Sequence, residues 1–230
     1  MTLHGSKELG VLFDVDGTLI DSNYLHTISW WQAFRRVGQD VPMASIHRAI
    51  GMGGDKLITH LLGEERNKND DDVLQASHDA VFSTHWPALR PFAGAKDLLV
   101  QCGEVGLAVV LASSARQDEL TVLRTALDAD SCIDAATSSS DAAESKPAPD
   151  IVAAALESCR LQAGHTVFVG DSVWDVYAAS KLNIPTIGLT CGGTSDAELR
   201  EAGAVEVFAH PQALLQDLAN SAIGRLLVRK

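Results

Sequence analysis

Five short runs dense in Val, Leu, Ile and Phe, at residues 11–13, 107–111, 166–169, 186–189 and 205–208, constrain this chain more than any other feature. Each is predominantly apolar and too short for a helix, the mark of a strand buried on both faces, as in a parallel sheet. A weaker run lies at residues 132–136. Amphipathic stretches at residues 95–102, 117–127, 150–159, 174–182, 197–202 and 213–218 alternate with these runs. That alternation predicts an α/β fold with a doubly wound parallel sheet. Local signals agree: Ser114–Gln117 and Ser195–Glu198 have capping-box form, and Pro147 and Pro149 precede a helix.

One interval breaks the rhythm. Thr18 and Leu107 are 89 residues apart, whereas a strand-helix-strand crossover needs about 30 residues in all. Within the interval His26, Trp30, Phe34 and Val37 fall on one helical face, and further helix is expected at residues 54–62 and 71–85. The division expected is a core from residues 1–20 and 90–230 and an inserted helical domain from residues 21–89. Hinges would lie near Asp21 and at residues 89–91. The acidic patch at residues 67–72 reads as a solvated loop or helix start.

Charge and composition exclude several function classes. Lys and Arg number 18 against 30 Asp and Glu, a formal net charge of −12. There is no basic stripe for a nucleic-acid backbone or an anionic membrane surface. Hydrophobic residues make up 46%, enough for a sizeable core. No apolar run reaches the roughly 20 residues of a membrane span, and the first ten residues lack a signal-peptide core, so a cytoplasmic protein is expected. The four cysteines have no paired spacing and the eight histidines form no H-E-x-x-H, which argues against zinc.

Two acidic pairs stand where strands end. The first run leads directly into Asp14–Val15–Asp16–Gly17–Thr18. Asp-Gly commonly makes a turn, but a turn accounts for one aspartate better than two. If strand geometry persists, Asp14 and Asp16 share a face, and paired carboxylates there suit a metal, a nucleophile with its acid/base, or both. The second pair, Asp171 and Asp175, follows the run at residues 166–169 in the same way; Asp175 also suits a first helical turn, where it would compensate the dipole. Ser113 closes the run at residues 107–111, and Lys146 precedes Pro147. Alone, these two read as a helix-entry serine and a surface lysine.

Taken in order, Asp-x-Asp-Gly-Thr, strand-Ser, Lys-Pro and Gly-Asp-x-x-x-Asp resemble the haloacid dehalogenase-like (HAD) hydrolase superfamily in its phosphatase branch. The match spans Asp14 to Asp175 and continues less specifically to about Leu218. The resemblance implies a HAD-like, Rossmann-type core with sheet order 3-2-1-4-5 and the motifs meeting at the switch point, where open α/β sheets bind ligands. Residues 21–89 would form a helical cap over the site.

The resemblance also implies roles. Asp14 would be the nucleophile that takes up the phosphoryl group as an aspartyl-phosphate, and Asp16 the acid that protonates the leaving oxygen and then activates water. Mg²⁺ would be held by Asp14, the backbone carbonyl of Asp16 and Asp171. Lys146 would add positive charge beside the phosphoryl group and Ser113 would hold its oxygens. Thr18 would orient Asp16 or follow the cap, and Asp175 would position Lys146 or a metal-bound water. Dehalogenases of the superfamily do not keep the second aspartate, so Asp16 favours phosphate chemistry.

The cap residues bear on the substrate. His26 occupies the place of a cap histidine in β-phosphoglucomutase-like members, although its stripe also suits packing. The segment from Gly51 to Lys56 resembles the cap loop that looks into the site. Mutases carry an arginine where Gly54 stands here, with Arg48 or Lys56 as candidate substitutes. The leading expectation is a Mg²⁺-dependent phosphatase of a small phosphorylated metabolite, such as phosphoglycolate or a sugar phosphate. A β-phosphoglucomutase-like phosphomutase is the nearest rival, and a catalytically silent binding module a more distant one.

Overall fold

A computed structural model describes residues 7–228. Strand β1 (Gly10–Phe13) is followed by four helices, α1 (Asn23–Arg36), α2 (Met43–Ala49), α3 (Gly54–Leu62) and α4 (Asp71–Ser83). The chain then alternates through α5 (Ala95–Glu104), β2 (Ala108–Ala112), α6 (Gln117–Leu127), β3 (Ala135–Thr137) and α7 (Asp150–Cys159). It ends with β4 (Thr166–Gly170), α8 (Val173–Ser180), β5 (Thr186–Leu189), α9 (Asp196–Ala202), β6 (Glu206–Phe208), α10 (Pro211–Gln216) and α11 (Ala222–Val228). All five strong apolar runs form strands, and the weaker run supplies β3. The short helices α2 and α11 carried too little periodicity to be expected.

The strands form one parallel six-stranded sheet in the order β3-β2-β1-β4-β5-β6. The expected 3-2-1-4-5 order is thus present, extended by β6. Alternate residues along each strand face opposite sides, and the packing separates accordingly. Val11, Phe13, Val109, Leu111, Val167 and Val169 join one core with α5, α6, α10 and α11. Leu12, Val110 and Phe168 join the other with α7 and α8. Phe13 and Leu12 are fully buried, and each such side chain contributes about 1.5–3 kcal/mol of transfer free energy. Both faces being covered, the ligand-accessible region is the carboxyl end of the strands, at the β1–β4 switch point.

Helices α1 to α4 bury a third cluster of their own, centred on Trp30, Phe34, Ile46, Leu57 and Leu74. Phe82 at the end of α4 instead packs into the sheet's core. The chain enters and leaves this helical layer side by side: Asp21 N donates to Arg90 O at 3.0 Å, and Phe92 N to Leu19 O at 2.9 Å.

The two capping-box motifs differ in outcome. The Ser195–Glu198 box opens α9, Ser195 Oγ accepting from Glu198 N and Glu198 Oε2 from Ser195 N. Ser114 does not cap α6, whose N-cap is Arg116. Ser113 Oγ accepts from Ala115 N at 3.0 Å, which extends the turn after β2 by two residues. The Ser114 hydroxyl is buried with no hydrogen-bond partner among the described residues. Among the described residues no helix is long and apolar enough to cross a membrane.

Candidate active site

β1 ends in Asp14, and Asp14 N still donates to Val169 O of β4 at 2.9 Å, so the side chain emerges at the seam between the two central strands. Gly17 then turns the chain with φ +75°, a conformation costly for residues with a Cβ. A Cβ there would also sit 2.2 Å from the Asn23 amide. The turn brings Thr18 back over the seam. Its hydroxyl lies 3.2 Å from Asp14 Oδ2 and 3.0 Å from Asp171 Oδ1. One proton cannot satisfy both carboxylates at once.

Lys146 reaches the same point from the loop after β3. It is fully buried, and its Nζ donates to Asp14 Oδ1 at 2.6 Å, Asp175 Oδ1 at 2.8 Å and Ala112 O at 3.2 Å. The surface-lysine reading therefore fails for Lys146. Asp175 has no free oxygen, since its Oδ2 accepts from Ser172 N and Oγ in a capping box at the start of α8. Asp175 thus does two jobs, capping α8 and holding the ammonium. Asp171 Oδ2 accepts from Asn23 Nδ2 at 2.7 Å, which ties α1 to the end of β4.

Charge balance in this cluster favours a bound cation. Asp14, Asp171 and Asp175 place carboxylate oxygens within 4.8 Å of one another, all buried, against the single ammonium of Lys146. Burial pushes the Asp14 carboxyl up to about 7, against the pull of Lys146. Burial, and then the charges of Asp175 and Asp14, raise Asp171 well above the ordinary range. The two aspartates also raise Lys146, overcoming its burial. An all-oxygen donor set with excess buried negative charge suits a hard divalent cation. Asp14 and Asp171 are the residues placed to hold it.

Asp16 faces the helical layer instead. Its Oδ1 accepts from Ser22 Oγ at 2.6 Å and lies 3.2 Å from His26 Nε2. His26 Nδ1 lies 3.1 Å from His78 Nε2, and His78 Nδ1 lies 3.0 Å from Asp79 Oδ1. Arg116 closes the chain on Asp79 Oδ2. The contacts are satisfied with the extra proton on either ring, and the hydrogen bond and charge of Asp16 favour His26: doubly protonated, it donates to Asp16 and to a neutral His78, which donates to Asp79. Burial lowers His26, but the hydrogen bond and charge of Asp16 outweigh it and hold the imidazole above its usual value. Burial leaves His78 down at about 4. Burial would raise Asp16, yet the His26 contact holds it below its usual value.

A cavity of about 90 Å³ opens between the two layers, with Asp14, Asp16, His26, Trp30, Gly51 and Glu119 in its lining. Of the residues singled out from sequence, Asp14, Asp16, Thr18, Lys146, Asp171 and Asp175 converge at this strand end. Ser113 lies buried at the end of β2 with its oxygen on Ala115 N. His26 and Gly51 enter from the helical layer. Gly51, at φ +100°, packs so closely that a Cβ would meet Ser172 Oγ at 2.4 Å.

Arg48 and Lys56, expected as cap cations over the site, do not reach the cavity. Lys56 pairs with Glu144, and Arg48 pairs with Glu198. Arg48 lies instead in a separate cavity of about 500 Å³, together with Tyr24, His47, Trp174, Gly193 and Glu198. Asn23, Ser22, His78, Asp79 and Glu119 were missed from sequence. Asn23 and Ser22 adjoin the first motif and could have been suspected from proximity; the other three carry no local signal.

Parallel strands around a buried Asp–Lys–Asp cluster define a hydrolase-like α/β site, and comparison with known proteins fits that class. Residues 11–189 match the family model described as haloacid dehalogenase-like hydrolase. The chain belongs to this family. It is 28% identical over 220 residues to the phosphoglycolate phosphatase of Yersinia pestis, covering 92% of this chain and 90% of that one. It is 27% identical over 226 residues to SUPPRESSOR OF QUENCHING 1 of Arabidopsis thaliana, covering 96% of this chain but only 21% of that much longer protein. A crystallised hydrolase from Pseudomonas syringae superposes with a TM-score of 0.89 at 30% identity, over 94% of this chain and 100% of that one.

Proposed function

We propose that the protein is a Mg²⁺-dependent phosphatase acting on a small phosphate monoester through an aspartyl-phosphate on Asp14. The hydrogen bond of the buried Lys146 to Asp14, together with the Asp171 carboxylate within 4.8 Å of Asp14, carries this reading. Mg²⁺ would be held by Asp14, Asp171 and the backbone carbonyl of Asp16. When bound, it supplies charge neutralisation to a phosphate dianion that must approach two carboxylates.

The chain's own residues do the rest. Asp14 attacks phosphorus in line, the bond to the leaving oxygen breaks, and the electron pair leaves with that oxygen. Asp16, with His26 as the adjoining proton store, delivers a proton there. It then takes one from the water that attacks the aspartyl-phosphate, so the products are the alcohol and inorganic phosphate. Lys146 balances the charge accumulating on the phosphoryl oxygens, and Asp175 keeps its ammonium aimed at Asp14. Thr18 holds Asp14 and Asp171 in register, and Ser113 stands at the phosphoryl-binding end of β2. Helices α1 to α4 act as a cap over the core, hinged where Asp21 and Arg90 meet.

The Yersinia relative's name makes phosphoglycolate one substrate to try, and sugar phosphates are another class. A mutase needs a grip on a second phosphate, and with Gly54 in the cap loop and Arg48 and Lys56 paired elsewhere, the hydrolase reading stands ahead. A silent binding module would have no use for the buried lysine. The test is inorganic phosphate release from a panel of monoesters. Turnover is expected with Mg²⁺ and is expected to vanish in EDTA. Asp14→Asn should lower it at least about a thousandfold. Isomerisation of a hexose phosphate without phosphate release would overturn the assignment.

A further inference from the structure

The wall of the 90 Å³ cavity beyond Asp16 carries carboxyl and aromatic side chains, and among the described residues that line it no Lys or Arg is unpaired. Glu119, in the first turn of α6, has 13% of its side chain exposed. Its one ion-pair contact among the described residues is His26 Nε2 at 3.5 Å, and that N–H is already directed at Asp16 Oδ1 at 3.2 Å. Asp79, also in the wall, is engaged by His78 and Arg116. Arg116 spends both terminal nitrogens on Asp79 and Asp118. The cap loop adds Gly51, Met52, Gly53 and Gly54, none bearing charge.

A carboxylate or second phosphate on the substrate would therefore meet Glu119 with nothing free to neutralise it. A cation would meet Glu119 and the indole of Trp30, which lines the same cavity and can attract a positive charge through its ring face. Burial pushes the Glu119 carboxyl up to about 8, against the pull of His26, and a cation beside it would draw it into its ionised form. Size and reach agree. At 10–15 Å³ per water, the cavity holds about six to nine water-sized positions. Glu119, His26 and Asp16 offer polar atoms within 4.8 Å of one another. With one hydrogen bond at each end, about two or three carbons separate the leaving oxygen at Asp16 from a donor at Glu119.

We infer that the leaving group is a short alcohol bearing an ammonium, with Glu119 as its counter-ion and Trp30 beside it. The substrate class is thus an aminoalkyl phosphate, not a phosphorylated carboxylic acid. The inference rests on the phosphatase reading and narrows it.

Three esters of matched length test it on the Mg²⁺-loaded full chain: 2-aminoethyl phosphate, 2-hydroxyethyl phosphate and phosphoglycolate, with p-nitrophenyl phosphate reporting the chemistry itself. The aminoethyl ester is expected to have the highest kcat/KM, about tenfold or more above phosphoglycolate. Glu119→Gln should shrink that ratio about tenfold. Phosphoglycolate or the hydroxyethyl ester turned over as well as the aminoethyl ester overturns the inference, and so does a ratio that Glu119→Gln leaves unchanged. If no ester is hydrolysed, p-nitrophenyl phosphate included, the phosphatase reading fails. Calorimetric binding of the same three esters then decides the inference: the same order supports it, and equal or reversed affinities overturn it.

Discussion

At the scale of single residues, this protein places charge where a core would ordinarily reject it and supplies each group a reason to stay. Lys146 is held by two aspartates and a carbonyl, and losing the lysine itself would leave buried carboxylates uncompensated. His26 and His78 illustrate the same principle with opposite outcomes. Stacked 5.3 Å apart between ring centroids, they share one hydrogen bond, so only one can carry the extra proton; the Asp16 contact assigns it to His26. Burial depresses the folded-state value of His78 below that of an unfolded histidine. The stability it contributes as a neutral base is therefore full above about 6.5 and is lost as pH falls from 6.5 through about 4. A histidine NMR titration is expected to show His78 neutral down to about that lower value while the fold persists. A His78 resonance titrating near 6.5 would refute the protonation pattern.

The secondary-structure elements act as mounts, and their ends carry the chemistry. β1, β2 and β4 each finish at a residue of the cluster, which explains why those residues were legible in sequence. A charge or hydroxyl closing a fully apolar run is conspicuous because a buried strand has no ordinary use for it. The polar chain from Asp16 to Arg116 was not legible. His78 and Asp79 lie on α4 and Glu119 and Arg116 at the start of α6, helices more than thirty residues apart whose faces meet only through tertiary packing. His26 was legible by resemblance, while its stripe of apolar neighbours equally suggested packing.

The loop between α2 and α3 is a second mount, pressed against the start of α8 through Gly51. Gly38 offers a matched control, since it too has positive φ, +76°, but nothing lies within 4 Å of where its Cβ would sit. Gly38→Ala should cost about 1–2 kcal/mol of backbone strain in denaturant unfolding and spare turnover. Gly51→Ala should cost that strain and, by displacing the loop from Ser172, reduce kcat/KM as well. Equal effects of the two substitutions on turnover would show that the loop has no part in the site.

For the molecule as a whole, the layered sheet is the scaffold, and the helical layer closes one side of the cavity at its carboxyl end. Alternating apolar runs predict a doubly wound parallel sheet, while its order could be anticipated only from the resemblance to the family. The helical layer obeys no comparable rule. Its own core fixes its shape, but which of its polar residues face Asp14 depends on the docking of α1 and α4. That is why Arg48 and Lys56 were misplaced from sequence; Glu119, on α6 of the core, was overlooked because only the docked layer brings His26 to it. The central claim is that Asp14 carries the phosphoryl group. Its most direct test is acid quenching of the Mg²⁺-loaded protein during turnover, followed by peptide mass spectrometry. The account predicts one added phosphoryl group on the peptide containing Asp14, sensitive to hydroxylamine and absent in Asp14→Asn. Undiminished phosphate release by Asp14→Asn, or a label on any other residue, would contradict it.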